Sequence, residues 1–252
     1  MAFDAFVLSS VCQELEEQLL NAKIGKIHQP NKHSLILRYH NRQKKGRLLI
    51  SAHPQNGRIH LTESNEENPL NPPLFCMVLR KYLENSRLIA IKQQGMERIV
   101  HFDFLIRNDL GDDDHCTMIV EIMGKHSNII LVNKDMVIID GIRRYSHLLS
   151  RYREVLPGRD YLAPPPQEKY DYSLLDEEKL AQILFALPLN WQLKKALSAT
   201  VYGLSPLLLE ETICQSGLDP HLTLEELGEY EIRQLLNTVK SIMERFDLKD
   251  FQ

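Results

Sequence analysis

The sequence predicts an α+β protein in which a β-rich region comes first and a helical region follows. Short apolar runs rich in β-branched residues, separated by polar turns, recur up to Ile142 and are typical of strands. After residue 170 the pattern becomes helical. Between the two regions, Pro164-Pro165-Pro166 exclude helix and central strand and favour an extended connector. We therefore expect a β-rich domain over residues 1–170 and a helical domain over residues 171–252.

Two helices and nine strands are expected in the β-rich domain. The first helix runs from Asp4, a good N-cap, to Leu20, and the second runs from Pro72-Pro73 to Glu84 because proline tolerates a first helical turn. The first four strands should form an antiparallel meander. The predicted strands are Ile24–His28, Ser34–Tyr39, Arg47–Ser51, Arg58–Leu61, Arg87–Lys92, Arg98–Ile106, Cys116–Met123, Asn128–Val132 and Val137–Ile142, and the acidic residues 109–114 are expected in a hairpin loop.

The helical domain contains one pattern of functional interest. The runs Trp191–Val201 and Leu207–Ser216, joined by a short Gly-containing turn, indicate helix, turn, helix. The turn amides of such a hairpin can hold a phosphate, although most helical hairpins only pack. Ser173 and Thr223 are expected to cap helices, Thr223 in a capping box with Glu226.

The composition argues against several classes of function. The formal net charge of -4 speaks against a general nucleic-acid coat, although it leaves room for a local basic groove. The four cysteines are far apart without a CxxC pair, so neither a zinc site nor a disulfide framework is expected. The start lacks a secretory signal, and no apolar run is long enough to cross a bilayer. We therefore expect a cytoplasmic protein with no membrane partner and no cofactor.

The segment Glu121–Asn128 is the most informative part of the sequence. It joins two apolar, β-branched runs, so we expect strand, tight turn and strand, with Gly124 and Asn128 shaping the turn. Glu121 lies in an otherwise apolar strand, where a carboxylate is costly unless it is paired or faces a solvated groove. This conflict marks Glu121 as a candidate functional residue.

The neighbours of Glu121 divide between two faces of the strand. Alternation puts Glu121 and Met123 on one face, where they could share a surface patch, and points Ile122 into the core on the other. Lys125 and His126 at the turn would be free to reach RNA, although lone turn residues of these types are usually only solvated.

Two basic stretches could contact RNA. They are Arg42, Lys44, Lys45 and Arg47, and Arg143, Arg144, Arg151 and Arg153. Clusters of this size are often only solvated surface. Tyr145 and Tyr152 accompany the second stretch, and their rings could stack on bases beside phosphate contacts. We therefore rank the second stretch above the first.

Several motifs together resemble the NFACT family. They are Phe3-Asp4, Met96-Glu97-Arg98, the run from Glu121 to Asn128, Leu156-Pro157-Gly158-Arg159-Asp160-Tyr161 and Pro164-Pro165-Pro166. The resemblance extends from Phe3 to the helical hairpin near Ser216, and the run from Glu121 to Asn128 is its specific part. Bacterial members have been labelled fibronectin-binding proteins of the FbpA type, and they include RqcH-type ribosome quality-control factors.

The resemblance implies a fold related to formamidopyrimidine-DNA glycosylases: a β-rich domain, then a helix-hairpin-helix domain. Full-length members continue into a coiled coil, so we expect this chain to be truncated before it. The implied activity is recognition and not bond cleavage. The factor binds tRNA and the obstructed large ribosomal subunit carrying peptidyl-tRNA, and it supports C-terminal tailing of the stalled chain. A glycosylase would need an amine nucleophile such as proline after the initiator Met, where this chain has Ala2, so we expect no enzyme.

The resemblance also implies binding residues. Family members carry an acidic-Arg pair at Glu97-Arg98, implicated in tailing and tRNA engagement, and a second functional patch at residues 121–123. Glu97 is one methylene longer than the Asp that is commoner in the family. The candidate tRNA- and ribosome-binding residues are therefore Glu97, Arg98, Glu121, Ile122, Met123, Lys125, His126, Arg143 and Arg144.

Alternatives stand beside this interpretation. Arg98 could instead form an ion pair inside the sheet, for which the available partners are Glu97, Glu121 and Asp103. For the whole chain, the alternative is a surface adhesin that binds fibronectin, against which the missing secretory signal counts. A glycosylase-like nuclease or lyase is a third alternative.

Overall fold

The chain divides into two units near its proline connector. A computed structural model describes residues 3–41, 44–64, 66–108, 110–148 and 150–249. One unit, the sheet unit, is Val7–Pro165, and the other, the helical unit, is formed by Met1–Phe6 and Pro166–Gln252. Three residues used above, Ala2, Arg42 and Asp109, lie outside the described residues.

The sheet unit is built on an antiparallel sheet of nine strands within the described residues. The strands are β1 Lys23–Asn31, β2 Ser34–His40, β3 Lys45–Ser51, β4 Arg58–Leu61, β5 Arg87–Gln93, β6 Ile99–Arg107, β7 Asp113–Glu121, β8 Asn128–Asn133 and β9 Ile138–Gly141. Their order across the sheet is β4-β3-β2-β1-β5-β6-β7-β8-β9. Two meanders, β1 to β4 and β5 to β9, therefore meet at a seam between β1 and β5, where Lys23 lies opposite Arg87. The α+β class and the first meander are confirmed.

The predicted start of β7 was wrong. Strand β7 begins at Asp113, not at Cys116, because Asp113 pairs with Arg107 and Asp114 with Ile106 in register with β6. Backbone pairing with β6 continues here although the side chains are acidic. The expected hairpin loop is correspondingly shorter than residues 109–114.

Two helices accompany the sheet. Helix α1 is Ala5–Leu19 and helix α2 is Leu74–Leu83, with Pro73 as its N-cap residue, so both begin where the sequence predicts. Leu8 and Leu15 of α1 are fully buried, whereas Val7 and Val11 are half-buried. The core residues of α2 are Phe75, Cys76, Leu79 and Leu83.

The helical unit contains four α-helices within the described residues: α3 Glu177–Phe185, α4 Leu193–Thr200, α5 Pro206–Gln215 and α6 Glu229–Asp247. Helices α4 and α5 are the predicted helix, turn, helix. The prediction that Ser173 caps a helix was wrong. Asp176 caps α3 instead, its Oδ1 accepting from the Lys179 amide at 2.7 Å, because it directly precedes the first helical residue. The capping box of Thr223 and Glu226 is confirmed, since Glu226 Oε2 accepts from the Thr223 amide at 2.8 Å.

A segment after β9 covers one face of strands β6 to β9. This segment, which we call the strap, comprises residues 142–148 and 150–163. It closes on itself where Tyr145 bridges Val155. Val155 is buried against Ile99, Ile119 and Ile130 of the sheet. The strap therefore excludes water from a sheet face that its absence would leave open.

Candidate functional site

The predicted site residues lie at one end of strands β6 to β9. Ile99, Glu121 and Asn128 lie opposite one another across β6, β7 and β8. Arg143 continues this row beyond β9, since its amide donates to Asn128 Oδ1 at 3.1 Å. The remaining candidates lie in the turns next to these strand ends. The structure therefore brings the candidates between positions 97 and 144 together at one end of strands β6 to β9, which we call the Arg98 edge.

Arg98 is exposed at this edge. Its carbonyl oxygen accepts from the Ile122 amide at 2.8 Å, which fixes its backbone against the end of β7. Within the described ranges Arg98 has no ion pair, and the two distant carboxylates that could have taken it are occupied. Glu121 binds Arg153, and Asp103 accepts from Thr117 and lies 3.4 Å from Lys92. The backbone of Arg98 is therefore fixed, whereas its side chain is exposed and carries a charge without an ion pair in the described residues.

Glu97 precedes Arg98 in the turn between β5 and β6 and is half-buried. Its amide donates to the Gln94 carbonyl at 3.0 Å, and its own carbonyl accepts from Gln93 Nε2 at 3.1 Å. These bonds fix the backbone of the turn.

Glu121 is fully buried, which corrects the expectation that it belongs to a surface patch with Met123. Arg153 donates to both of its carboxylate oxygens, from Nη1 at 2.7 Å and from Nη2 at 2.6 Å. The Tyr161 hydroxyl adds a third bond to Oε1 at 2.9 Å. Strand alternation did put Glu121 on the predicted face, but the strap covers that face and supplies the counter-ion.

Arg153 is likewise buried, so the expectation that it faces RNA was wrong. Burial by itself would lower its pKa, but the hydrogen bonds and charge of Glu121 outweigh burial and raise the pKa above its ordinary value. Burial, together with the charge of Glu121, also raises the pKa of Tyr161. The three groups form a neutral network that locks the strap to the end of β7.

The turn after Glu121 has the predicted shape. Ile122 is buried, as expected, and packs so closely on Gly57 that a Cβ there would lie 3.0 Å from its Cγ2. Met123 is half-buried and its amide donates to Ser127 Oγ at 2.9 Å. Gly124 has a φ of 59°, a conformation that favours glycine. The single 3-10 turn Gly124–His126 then places two candidates, Lys125 and His126, in solvent.

Asn128 organises the backbone beyond the turn, whereas the sequence predicted that it shapes the turn itself. It is fully buried, and its Oδ1 accepts from the amides of Ile129 and Arg143 while its Nδ2 donates to the Arg143 carbonyl at 3.0 Å. Arg143 is exposed and returns the contact, since its Nη1 donates to the carbonyl oxygens of Lys125 and Ser127 at 2.6 and 3.3 Å. Arg143 therefore braces the turn while its positive charge remains without a carboxylate among these contacts.

Arg144 has less freedom. Its Nε and Nη2 donate to the two carboxylate oxygens of Asp140 at 2.7 and 2.8 Å, a bidentate pair that raises the pKa of Arg144. Asp140 is buried, which the sequence did not reveal. Two members of the second basic stretch, Arg144 and Arg153, thus form ion pairs with the buried carboxylates of Asp140 and Glu121. This argues against ranking the second stretch above the first as an RNA contact.

Two kinds of feature are absent from the described part of the chain. No cluster of three or more His, Cys, Asp or Glu side chains there could hold a metal ion. Among the same residues, no helix is both long and apolar enough to cross a membrane.

Fold and site together define an α+β module in which exposed cations lie at one edge of a sheet and a buried ion pair holds that edge in place. The chain belongs to the NFACT family: residues 4–252 match the family's N-terminal and middle domains.

Relatives and solved structures agree with this assignment. "Rqc2 homolog RqcH" of Bacillus subtilis is 40% identical over 225 residues, which cover 89% of this chain and 39% of that protein. The protein of the same name from Streptococcus pneumoniae is 43% identical over 185 residues, which cover 73% of this chain and 34% of that protein. The chain therefore spans little more than a third of the length of these relatives.

The solved N-terminal domain of the fibronectin-binding protein PavA from Streptococcus pneumoniae has a TM-score of 0.74 at 35% identity, over 98% of this chain and 84% of that one. The Lactococcus lactis Fpg protein matches with a TM-score of only 0.45 at 14% identity. That likeness is too weak to decide the predicted relation to glycosylases.

Proposed function

We propose that this chain is the N-terminal part of a cytoplasmic ribosome quality-control factor that binds RNA and catalyses no reaction. Its ligands are tRNA and the obstructed large ribosomal subunit carrying peptidyl-tRNA, and its binding supports C-terminal tailing of the stalled chain. The family and the names of its relatives support the quality-control role. The statements about tRNA, the large subunit and C-terminal tailing concern the whole protein, and the chain spans about a third of the length of these relatives.

The observation that carries the tRNA proposal is the state of Arg98. The side chain is exposed, its backbone is bonded to β7, and it has no ion pair in the described residues. A guanidinium presents a rigid fork of donors that suits phosphate oxygens or a base edge. Lys125 and His126 add two exposed donors from the adjacent turn, and Arg143 braces that turn.

Glu121 and Ile122 act indirectly in this proposal. Glu121 is sealed against Arg153, and Ile122 is packed on Gly57, so neither reaches a ligand. Both hold the end of β7 that positions Arg98 and the Lys125 turn. They are positioning residues, and the family's second functional patch is explained without direct RNA contact.

The variant Arg98→Glu tests this proposal. Loss of a charge-assisted hydrogen bond costs about 1.5–3 kcal/mol, so tRNA affinity should fall at least about tenfold at physiological salt. The matched control is Lys134→Glu, which reverses an exposed cation between β8 and β9, paired with Asp114 at 3.5 Å. Filter binding with deacylated tRNA measures both. An unchanged affinity in Arg98→Glu, with wild-type thermal stability, would show that the assignment of Arg98 is wrong.

A second candidate function is supported by the solved relatives. The PavA domain is described as part of a fibronectin-binding protein. Fractionation of cells that express the full-length protein distinguishes the two: a ribosome-associated pool supports the first function, and a wall-associated pool that binds fibronectin supports the second.

Two finer parts of the proposal have their own tests. Incubation with duplexes that contain damaged bases should give no strand cleavage, as expected for a protein that is not an enzyme. We also propose that α4 and α5 act as a helix-hairpin-helix whose turn amides hold a phosphate. Replacing Gly203, which has a φ of 86°, by Val should then weaken RNA binding. Wild-type affinity in a folded Gly203→Val variant would contradict it.

A further inference from the structure

The end of the sheet opposite to the Arg98 edge carries a row of basic residues that are direct cross-strand neighbours. The row consists of Lys45 on β3, His40 on β2, Lys23 on β1 and Arg87 on β5, each opposite the next. All four are exposed. Neighbouring strands lie about 5 Å apart, so the row extends across roughly 15 Å of surface.

A second pair of basic residues lies on β2 and β3, two residues away from His40 and Lys45. Arg38 lies opposite Arg47, and the period of two residues puts both on the same face as the row. Arg47 Nη1 donates to the carbonyl oxygens of Glu63 and Ser64 at 2.9 and 2.8 Å. These bonds orient the guanidinium without neutralising it. We call the set of Lys23, Arg38, His40, Lys45, Arg47 and Arg87 the basic strip.

The strip holds unneutralised charge. Nowhere in the described residues does a member of the strip form an ion pair; the pairs found involve other cations. Like charges directly opposite one another in a sheet repel, so the arrangement is unfavourable in the free protein. Burial, followed by the charges of Arg38 and Arg80, lowers the pKa of nearby His28. A bound polyanion would relieve the repulsion.

Two depressions meet at His40 on this face. The smaller, of about 510 Å³, is lined by Lys26, Arg38, Lys45 and Arg47, and its described lining contains no carboxylate. The larger, of about 1110 Å³, adds Lys81 and Arg107 to Lys23 and Arg87.

The larger depression also contains two carboxylates. Glu84 is engaged, since its Oε1 accepts from the Ile27 amide at 3.3 Å and lies 3.7 Å from Arg80. Asp113 lies opposite Arg107 in the β6–β7 register. Four cations against two carboxylates leave the larger depression positive as well.

We propose that the basic strip binds the phosphate backbone of an RNA strand. The inference rests on the proposed RNA-binding function and adds a second surface to it. Concave depressions fit a rod-like polyanion better than a flat bilayer. The larger one also offers the Tyr82 ring and the Asn21 and Asn85 amides, groups that stack on bases and bond base edges or 2′-hydroxyls.

This surface is distinct from the Arg98 edge. Arg98 precedes the first residue of β6, whereas Arg107 ends the strand. At about 3.3 Å per residue, the two ends lie roughly 30 Å apart. The strip and Arg98 therefore contact different segments of an RNA, and each can be removed without touching the other.

The double variant Lys23→Gln/Arg87→Gln removes two charges from the strip. Its control, Lys92→Gln/Lys134→Gln, removes two exposed cations of the same unit that lie beside Asp103 and Asp114. Affinity for a labelled tRNA is measured by fluorescence anisotropy over a series of KCl concentrations. Each lost phosphate contact reduces the slope of log affinity against log salt by about 0.7–0.9. We expect the strip variant to lose roughly 1.5 in slope and the control to match the wild type.

The outcomes separate the two proposals. A shallower slope in the strip variant together with wild-type behaviour in Arg98→Glu supports the strip and contradicts the Arg98 site. The reverse result overturns the strip and leaves the Arg98 site standing. Equal losses in the strip variant and its control would also overturn the strip, because they would indicate only general electrostatics. Strip-dependent binding to phosphatidylserine vesicles with unchanged tRNA binding would assign the surface to membranes and overturn the proposal.

Thermal melting shows that each variant is folded, and the strip variant should melt no lower than the wild type.

Discussion

Replacing Glu121 by Gln should destabilise the sheet unit severely. Glu121 is 0% exposed, and the substitution leaves Arg153, whose side chain is 6% exposed, as a buried cation without its counter-charge. It also weakens three hydrogen bonds, two from Arg153 and one from Tyr161. Removing one partner of a buried ion pair costs about 3–5 kcal/mol in the free energy of unfolding, a large fraction of a typical stability of about 5–15 kcal/mol.

Urea unfolding, followed by circular dichroism, measures this loss. The double variant Glu121→Gln/Arg153→Met removes both charges and should recover most of it, because a buried pair can often be replaced by apolar groups at little cost. The control is Lys92→Gln, which breaks an exposed pair with Asp103 and should cost at most about 1 kcal/mol. If Glu121→Gln also lost less than about 1 kcal/mol, or if the double variant were the less stable of the two, the network could not be what holds the strap.

Three further predictions concern other parts of the chain. Asn128→Ala should cost about 1–3 kcal/mol, because the amide and carbonyl of Arg143 lose their partner; faster hydrogen exchange at Arg143 would show it, and an unchanged exchange rate would contradict it. In the native protein a thiol reagent should titrate Cys214 alone, because the other three cysteines are buried and burial raises the pKa of Cys116 to about 12; two or more fast thiols would contradict this. Burial lowers the pKa of His101 below 6.5, so its charged form is disfavoured in the folded state. Stability should therefore fall as pH drops through 6.5, and His101→Gln should reduce that fall in urea unfolding at pH 7 and pH 5; an identical fall in both proteins would show that His101 does not contribute.

The sequence was sufficient for the elements because their signals are local. Alternation of apolar residues, turn formers and proline positions placed all nine strands and both helices of the sheet unit within a few residues. The boundary of β7 was missed because strand pairing with β6 continues through acidic residues, and pairing is not a local property.

The site was only half predictable, for a related reason. The conflict around Glu121 correctly indicated that a carboxylate in an apolar strand needs a partner, but nothing near it in sequence identifies Arg153, which is 32 residues away. The pair of Arg144 with Asp140 was also missed, although its (i, i+4) spacing was a visible signal. The sequence left open whether Arg98 is exposed or paired inside the sheet. It indicated Lys45 and Arg47 as possible RNA contacts but not the rest of the basic strip, because cross-strand register joins residues from four strands.

The arrangement of the sheet as two meanders has a consequence for how the chain is made. Within each meander every strand pairs with the one synthesised just before it, and local pairing of this kind forms quickly. Strand β1 is the exception, because one of its edges waits for β5, more than fifty residues later in the chain. A nascent chain halted before Arg87 would present that edge unpaired, which is a template for association with other chains. Completion of β5 is thus the step in synthesis that covers this edge of β1 and joins the two meanders into one sheet.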